Sequence, residues 1–203
     1  DTHQQVAEEV EDVEVMEDLG FINTPDALQE SLADETAPLQ FANLADLCYI
    51  TGEEVASEIG DGKASFCWKG TTDAGDLFMD IDVRPDTLPN SELMGHGGFI
   101  ARYIENREKV MSDVATILET QPDIYLAGHS AGVIAYIHAW DILKTYGASV
   151  NLHIYTYGAP NIFSKEASEE WKRMVDEYGV DEKRYINLDD PVPFMSPYSN
   201  AGK

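Results

Sequence analysis

A serine lies midway between two glycines near the centre of the chain: Ser130 is flanked two positions away by Gly128 and Gly132. A short apolar run, residues 124–127, precedes these residues, and a segment with helically spaced apolar residues, 131–146, follows them. This context predicts a tight strand-to-helix turn, in which the glycines allow close backbone approach and the serine hydroxyl is lifted above a sheet. We therefore interpret the serine as a candidate nucleophile.

Apolar runs and helically spaced apolar residues alternate along most of the chain. Spacing at i, i+3 and i+4 predicts helices, and short runs bounded by turn residues predict strands. The predicted helices span residues 38–50, 99–119, 131–146 and 164–178, and the predicted strands 65–68, 77–83, 124–127, 150–157 and 184–188. Such alternation is typical of an α/β fold with a mostly parallel central sheet covered by helices on both faces.

Acidic residues dominate the charge, which is −25 overall. Residues 1–62 hold 17 Asp and Glu and no Lys or Arg, whereas the remainder holds 21 acidic and 13 basic residues. A strongly negative surface repels nucleic acid and anionic lipid, so we expect no nucleic-acid partner. The acidic residues are interpreted first as a solvated face, and alternatively residues 1–62 could dock on a basic protein partner.

The sequence favours no metal site and no transmembrane segment. Cys48 and Cys67 lack zinc spacing, and either two buried thiols or a disulfide between them is compatible with the sequence. Four aspartates between positions 76 and 86 lack the glycine and the terminal Glu of a calcium-binding loop, which favours a solvated strand face. No run of 18 apolar residues exists. The chain starts with Asp and not Met, from which we expect a processed, secreted or organelle-lumen protein.

Five segments in a fixed order together resemble the class 3 (fungal-type) lipases, which have the α/β-hydrolase fold. They are residues 66–71, similar to the strand end F-R-G-[ST]; 96–99, similar to H-x-G-F; 128–132, similar to the nucleophile elbow; 157–160, similar to F-G-x-P; and 187–193, similar to N-x-x-D-x-V-P. The chain departs from the family at Lys69, where Arg is usual, and at Ala131 and Val133, where Leu and Gly are usual. The resemblance covers about residues 38–197, and the acidic residues before it indicate an extension, so we expect an acidic extension at residues 1–37 and a lipase-like domain at 38–203.

The resemblance also implies roles for individual residues. Asp190 corresponds to the acid of a catalytic triad, with the adjacent Asp189 as the competing assignment. The oxyanion hole would use the backbone N–H groups of Ala131 and Thr71, and the Thr71 hydroxyl could add a third donor. No metal or organic cofactor is implied.

A serine hydroxyl needs a base, and the family places a histidine after the triad acid. No histidine follows Asp190 here. His129 is expected to point away from the serine, and the remaining four, His3, His96, His138 and His153, are interpreted as structural, surface or remote residues. Either the natural chain continues beyond Lys203 and supplies the base, which we favour, or the base has been lost.

Two functions of different classes follow. The first is a serine hydrolase of lipid or other acyl carboxylic esters, from which acyl transfer is not separable by sequence. The second is a catalytically inactive lipase-like domain that serves as a structural or partner-binding subunit. A lid would lie near residues 82–95. Residues 82–90 of this segment are polar and lack an apolar face, which favours a soluble ester over an interfacial fat.

Overall fold

The computed structural model describes residues 55–60, 62–70, 84–120, 122–189 and 192–194. The predictions made for the helix 38–50, the extended segment 77–83 and the boundary at residue 38 lie outside these residues, as do Cys48, Thr71 and Asp190.

Five strands form the central sheet of the described residues. In chain order the elements are β1 Val55–Gly60, β2 Lys63–Trp68, β3 Pro85–Thr87, β4 Met94–His96, α1 Gly97–Ile117, β5 Asp123–His129, α2 Ala135–Tyr146, β6 Asn151–Tyr157, α3 Lys165–Tyr178 and β7 Asp181–Tyr185. The sheet order is β1-β2-β5-β6-β7, with β1 antiparallel to β2 and the other pairs parallel. The predicted mostly parallel α/β sheet is therefore confirmed.

The start of α1 and both ends of α3 have clear local causes. α3 begins after Ser164, whose side chain accepts a hydrogen bond from the Ala167 amide, and ends at Gly179 in the left-handed region. α1 begins at Gly97, where an added Cβ would lie 2.5 Å from the Arg84 carbonyl oxygen, so only glycine fits. These local signals explain why the predicted helix bounds are close to the observed ones.

The hydrophobic core packs against one face of the sheet, formed by the even-numbered residues of β2, β5 and β6. Fully buried Phe66, Trp68, Ile124, Leu126 and Ile154 project from one face of the sheet and belong to one hydrophobic cluster with residues of all three helices. Successive parallel strands are added in one direction, and right-handed crossovers then place every connecting helix on the same side. The described helices accordingly pack on this one face, which we call the even face, and the opposite face is called the odd face.

Two strand predictions need correction. β1 was not expected, because its sequence, VASEIG, lacks a regular apolar alternation. Among the described residues this strand pairs with β2 alone. The last strand was expected at 184–188 but lies at Asp181–Tyr185. Four charged residues begin that strand, which is the other outermost strand of the sheet formed by the described residues, and charged residues are tolerated at such a position. Periodicity of apolar residues carries little information at such edges.

The described part of the predicted lid region is a short hairpin, in which β3 and β4 pair antiparallel. Its loop is fixed to α2: the Trp140 indole donates to the Pro89 carbonyl at 3.0 Å, and the Asn90 amide donates to the Asp141 carboxylate at 2.9 Å. Asp141 is fully buried and also accepts from Tyr103 and Arg107 of α1 at 2.8 and 2.9 Å. One carboxylate therefore joins the hairpin to both helices.

Candidate active site

Ser130 directly follows the carboxyl end of β5 and opens a 3-10 turn, Ser130–Ile134, that leads into α2. Its φ is +52°, and Asn90 is the one other non-glycine residue of the described chain with a positive φ. A serine held in this region costs about 1–3 kcal/mol, and such strain persists only where the surroundings impose it. The predicted strand-to-helix turn is therefore present, although its first turn is 3-10 and the α-helix starts at Ala135 and not at 131.

The two glycines of the turn have no room for a side chain. A Cβ added at Gly128 would lie 2.1 Å from the Gly132 carbonyl oxygen, and one added at Gly132 would lie 2.6 Å from the Trp68 carbonyl oxygen. All the obstructing atoms belong to the backbone, so no side-chain rotation relieves the contact. The glycines thus let β5 and its following turn approach each other, and let the turn approach the end of β2.

We expect Gly128→Ala to lower the free energy of unfolding by about 1–3 kcal/mol, because the added methyl group forces the backbone apart. Urea unfolding of the full chain followed by far-UV circular dichroism measures this. Gly60→Ala is the matched control, since nothing lies within 4 Å of a Cβ built there. Equal stabilities of the two variants would contradict the close approach described for the turn.

The Ser130 side chain is buried, with 6% of the residue exposed, and its Oγ has no hydrogen-bond partner among the described residues. The sequence predicted a hydroxyl lifted above the sheet, whereas in this structure the hydroxyl is shielded from solvent. A buried polar group without a partner costs about 1–3 kcal/mol and is uncommon in native structures.

Backbone amides at the start of the turn are the second feature of this position. The first N–H groups of a helical turn have no partner within the turn, and the side chain of the preceding residue, His129, does not cap them. They carry partial positive charge and suit an anionic oxygen. The Ala131 amide, directly after the serine, is one of them; Thr71, the other predicted donor, lies outside the described residues.

The end of β2 lies beneath the turn and is held from two helices. The Trp68 ring stacks on His138 of α2, with centroids 4.6 Å apart, and the Arg102 guanidinium of α1 donates to the Lys69 carbonyl at 3.4 Å. This strand end leads to the predicted oxyanion residue Thr71. These contacts could not be predicted from the sequence, because nothing in the local pattern links residues so far apart along the chain.

None of the four described histidines hydrogen-bonds to the Ser130 hydroxyl. His96 is buried and precedes α1, His129 is exposed, and His138 is fully buried against Trp68 and Tyr103, as predicted for a packing histidine. His3 lies outside the described residues.

His153 is placed far from the turn by the register of the sheet. It contacts Asp181 at 3.3 Å and Asp123 at 3.5 Å, which are the first residues of β7 and β5. All the parallel strands start at the same end of the sheet and finish at the opposite end. His153 lies near the starting end and Ser130 at the finishing end, so His153 is not a base for the serine.

Within the described ranges, no three His, Cys, Asp or Glu side chains are grouped so that they could hold a metal ion. Of the four aspartates considered for calcium, Asp86 alone is described; its carboxylate accepts a hydrogen bond from the Thr87 amide at 2.7 Å. Among the helices that can be described, none has the length and apolar character needed to cross a membrane.

A mostly parallel sheet with a strained serine between strand and helix defines an α/β-hydrolase-type protein. The model of the family "Lipase (class 3)" matches residues 65–200. The chain belongs to the class 3 lipase family, which confirms the resemblance drawn from the sequence. No curated protein sequence matches the chain significantly.

Solved structures with the same fold are fungal lipases. Rhizomucor miehei triacylglyceride lipase is 19% identical with a TM-score of 0.63, and the match covers 88% of this chain and 77% of that one. A triacylglycerol lipase from Penicillium expansum is 16% identical with a TM-score of 0.67, covering 83% and 75%. The native Rhizomucor miehei lipase–propeptide complex is 18% identical with a TM-score of 0.62, covering 87% and 66%. The chain thus spans about two thirds to three quarters of the length of these lipases.

Proposed function

We propose that the protein is a serine hydrolase of carboxylic esters, with lipid or other acyl esters as substrates. One observation carries this proposal: Ser130 is kept at a positive φ, with a buried and unpartnered hydroxyl, between two glycines that no other residue can replace without a clash. Strain and an unsatisfied buried polar group both cost stability, and a functional site is where such costs are retained. Membership of the class 3 lipase family supports the same conclusion.

In the proposed mechanism the Ser130 oxygen attacks the ester carbonyl and forms a tetrahedral oxyanion. The amides of Ala131 and Thr71 donate hydrogen bonds to that oxyanion, and the partial positive charge at the start of the turn lowers its energy. Asp190 orients the base that removes the serine proton. The protonated base gives this proton to the leaving oxygen as the intermediate collapses and the alcohol departs. Water, deprotonated by the same base, then attacks the acyl-enzyme and releases the acid and the free serine.

The substrate class follows from the residues near the site. The hairpin, which occupies the described part of the predicted lid region, has a polar loop. Hydrogen bonds of Asn90 and Trp140 hold this loop to α2. We therefore propose short or soluble acyl esters in preference to fat at an interface. A series of p-nitrophenyl esters of rising acyl length, with and without detergent micelles, measures this preference. Higher kcat/KM on long-chain esters in micelles than on short soluble esters would contradict it.

Labelling by a fluorophosphonate probe tests the proposed nucleophile. We expect the full chain to be labelled on Ser130, and Ser130→Ala to abolish both labelling and ester hydrolysis. Ser112→Ala is the matched control, because Ser112 is exposed on α1 and its loss leaves the turn intact. Labelling that persists in Ser130→Ala would overturn the assignment of the nucleophile.

The second candidate function is a lipase-like domain without catalysis, which serves as a structural or partner-binding subunit. The specific observation in its favour is that none of the described histidines reaches Ser130. A triad lacking one member keeps only about 10³–10⁴-fold acceleration over water. Absence of probe labelling in the folded, natural full-length protein, together with unaltered stability in Ser130→Ala, would favour this candidate.

A further inference from the structure

A groove of about 420 Å³ lies between the loop of the β3–β4 hairpin and one side of α1. Its walls are Thr87–Ser91 of the loop and helix positions 100, 103, 104 and 107, which share one side of α1 because of their spacing. Pockets for small organic molecules have volumes of about 300–1,000 Å³, so the groove is large enough for such a ligand. It is separate from the turn Ser130–Ile134, since none of the residues of that turn lines it.

One end of the groove is polar and is built on the Asp141 network. The Arg107 Nε–H donates to the Tyr103 hydroxyl at 2.8 Å and to the Asp141 carboxylate at 2.9 Å, which fixes the guanidinium. Asn90 is fixed beside it, because its amide donates to the same carboxylate at 2.9 Å. The orientation of the guanidinium is therefore set before a ligand binds, which lowers the entropic cost of binding.

The Arg107 guanidinium retains hydrogen-bond donors for a ligand. A guanidinium has five N–H groups. In Arg107, Nε and Nη2 contact Tyr103 and Asp141, whereas Nη1 donates to no atom of the described residues. The side chain is 44% exposed and lines the groove. Its outer N–H groups can therefore bind a carboxylate through two parallel hydrogen bonds.

The other end of the groove is apolar. Leu88 and Ile100 lie side by side there, because a Cβ added at Gly95 would be 2.8 Å from the first and 3.2 Å from the second. Ile104 continues this wall towards Arg107, and it is 61% exposed. Ile100 and Arg107 are seven residues apart, or about 10 Å along the helix axis. The groove thus matches a ligand with a polar head and a short apolar tail.

The charge of the lining selects the head group of the ligand. Among the residues that line the groove, Arg107 is the single charged one. Asp141 lies beneath them, and both of its oxygens accept hydrogen bonds from protein donors. A carboxylate is therefore favoured over an ammonium group. A singly charged head is favoured over a phosphate dianion, because a lone guanidinium must hold it in a protein of net charge −25.

We propose that this groove is a binding site for a monocarboxylic acid with a short aliphatic chain. The carboxylate forms two hydrogen bonds with the outer N–H groups of Arg107, and the chain lies along Ile104 towards Leu88 and Ile100. The ligand is held without a covalent step. Acids of this class are products of the proposed ester hydrolysis, but the site is inferred from the groove alone.

An NMR titration of the isotope-labelled full chain with hexanoate tests the site. We expect saturable shifts of the Arg107 Nε–H, the Asn90 side-chain amide and the Ile104 backbone amide. Hexanol has the same chain length without the charge and is expected to bind at least about tenfold more weakly, because it cannot form charge-assisted hydrogen bonds. No saturable shift of these groups up to about 10 mM hexanoate, or equal binding of hexanol, would overturn the proposal.

Charge reversal at the rim separates recognition of the carboxylate from apolar packing. Ile104→Glu and Ile104→Lys both remove the same exposed apolar side chain, so both variants are expected to fold. We expect hexanoate to bind Ile104→Glu at least about tenfold more weakly than Ile104→Lys, since the new charge repels the carboxylate in one variant and attracts it in the other. Equal affinities of the two variants would refute binding of the carboxylate beside this residue.

Ile59→Glu is the matched control for the charge change. Ile59 is also an exposed isoleucine, 41% exposed on β1, and it does not line the groove. We expect Ile59→Glu to bind hexanoate with the affinity of the wild type. A loss equal to that of Ile104→Glu would show that overall charge, and not the groove, controls binding.

The same titration on Ser130→Ala separates this site from the proposed nucleophile. The shifts of Arg107, Asn90 and Ile104 are expected to be unchanged in that variant. Their loss would place hexanoate at the serine turn and overturn the assignment to the groove. Failure of fluorophosphonate labelling, in contrast, would overturn the proposed hydrolase and leave the titration result as it is.

Discussion

Asp141→Ala is expected to lower the free energy of unfolding by about 3 kcal/mol, the lower end of the range for breaking a buried ion pair. The carboxylate is fully buried and accepts hydrogen bonds from Asn90, Tyr103 and Arg107. The lower end applies because the Arg107 side chain is 44% exposed and is partly rehydrated after the change. The Tyr103 hydroxyl, in contrast, would be left buried.

The pKa values of these partners show the same coupling. Burial, with the hydrogen bond to Asp141, raises the pKa of Tyr103, and the hydrogen bond to Asp141 raises the pKa of Arg107. Both groups therefore keep their protons, and the tyrosine acts as a donor to the carboxylate at all physiological pH values. Loss of the carboxylate removes the acceptor for which these donors are arranged.

Urea unfolding of Asp141→Ala beside Asp113→Ala measures the effect. Asp113 pairs with Lys109 on the surface of α1, and its loss should cost less than about 1 kcal/mol. An Asp141→Ala, Arg107→Ala double-mutant cycle isolates the ion pair from the hydrogen bonds of Asn90 and Tyr103. A loss no larger than that of the surface control would refute the role of Asp141 in joining the hairpin to the helices.

His138→Phe is expected to remove a pH dependence of stability that amounts to about 2 kcal/mol between pH 6.5 and 4.5. Burial, aided by the positive charge of Arg107, lowers the pKa of His138 from 6.5 to about 3. The unfolded state therefore binds a proton that the folded state refuses throughout this interval. The contribution is fully present above pH 6.5 and is lost as the pH falls towards 3, at up to about 1.4 kcal/mol per pH unit.

The interval is chosen so that carboxylates contribute little. Their hydrogen bonds lower the pKa values of Asp181 and Glu170 to about 2, so most of their contribution is lost only below pH 4.5. Phe suits position 138 because the ring there stacks on Trp68 and meets the edge of Tyr103. It also removes two ring nitrogens that have no hydrogen-bond partner among the described residues.

Thermal or urea unfolding at half-unit pH steps measures the slope for the wild type, His138→Phe and the exposed-histidine control His129→Gln. The control should retain the wild-type slope, whereas His138→Phe should be flatter and more stable at pH 4.5. Identical slopes in the wild type and His138→Phe would show that the buried histidine does not control acid stability.

Elements with strong local signals could be predicted from the amino-acid sequence. α1, α2 and α3 were predicted to within a few residues because each combines helical spacing with a clear end, such as Ser164 before α3 and Gly179 after it. The interior strands β2, β5 and β6 were found because strands buried on the sheet's core face read as apolar runs. The outermost strands of the described sheet, β1 and β7, were missed or displaced, since polar and charged residues interrupt their apolar pattern.

Features that depend on residues far apart in the chain became visible only in the tertiary structure. The pentapeptide around Ser130 indicated a turn, because glycine is needed wherever backbone atoms come too close to leave room for a Cβ atom. The burial of the Ser130 hydroxyl, in contrast, depends on the residues that pack against it. The Asp141 network and the Trp68–His138 stack likewise join separate elements. Local sequence encodes backbone preference and apolar periodicity, whereas burial and partner choice are set when the sheet register and the packing of helices on the sheet bring distant side chains together.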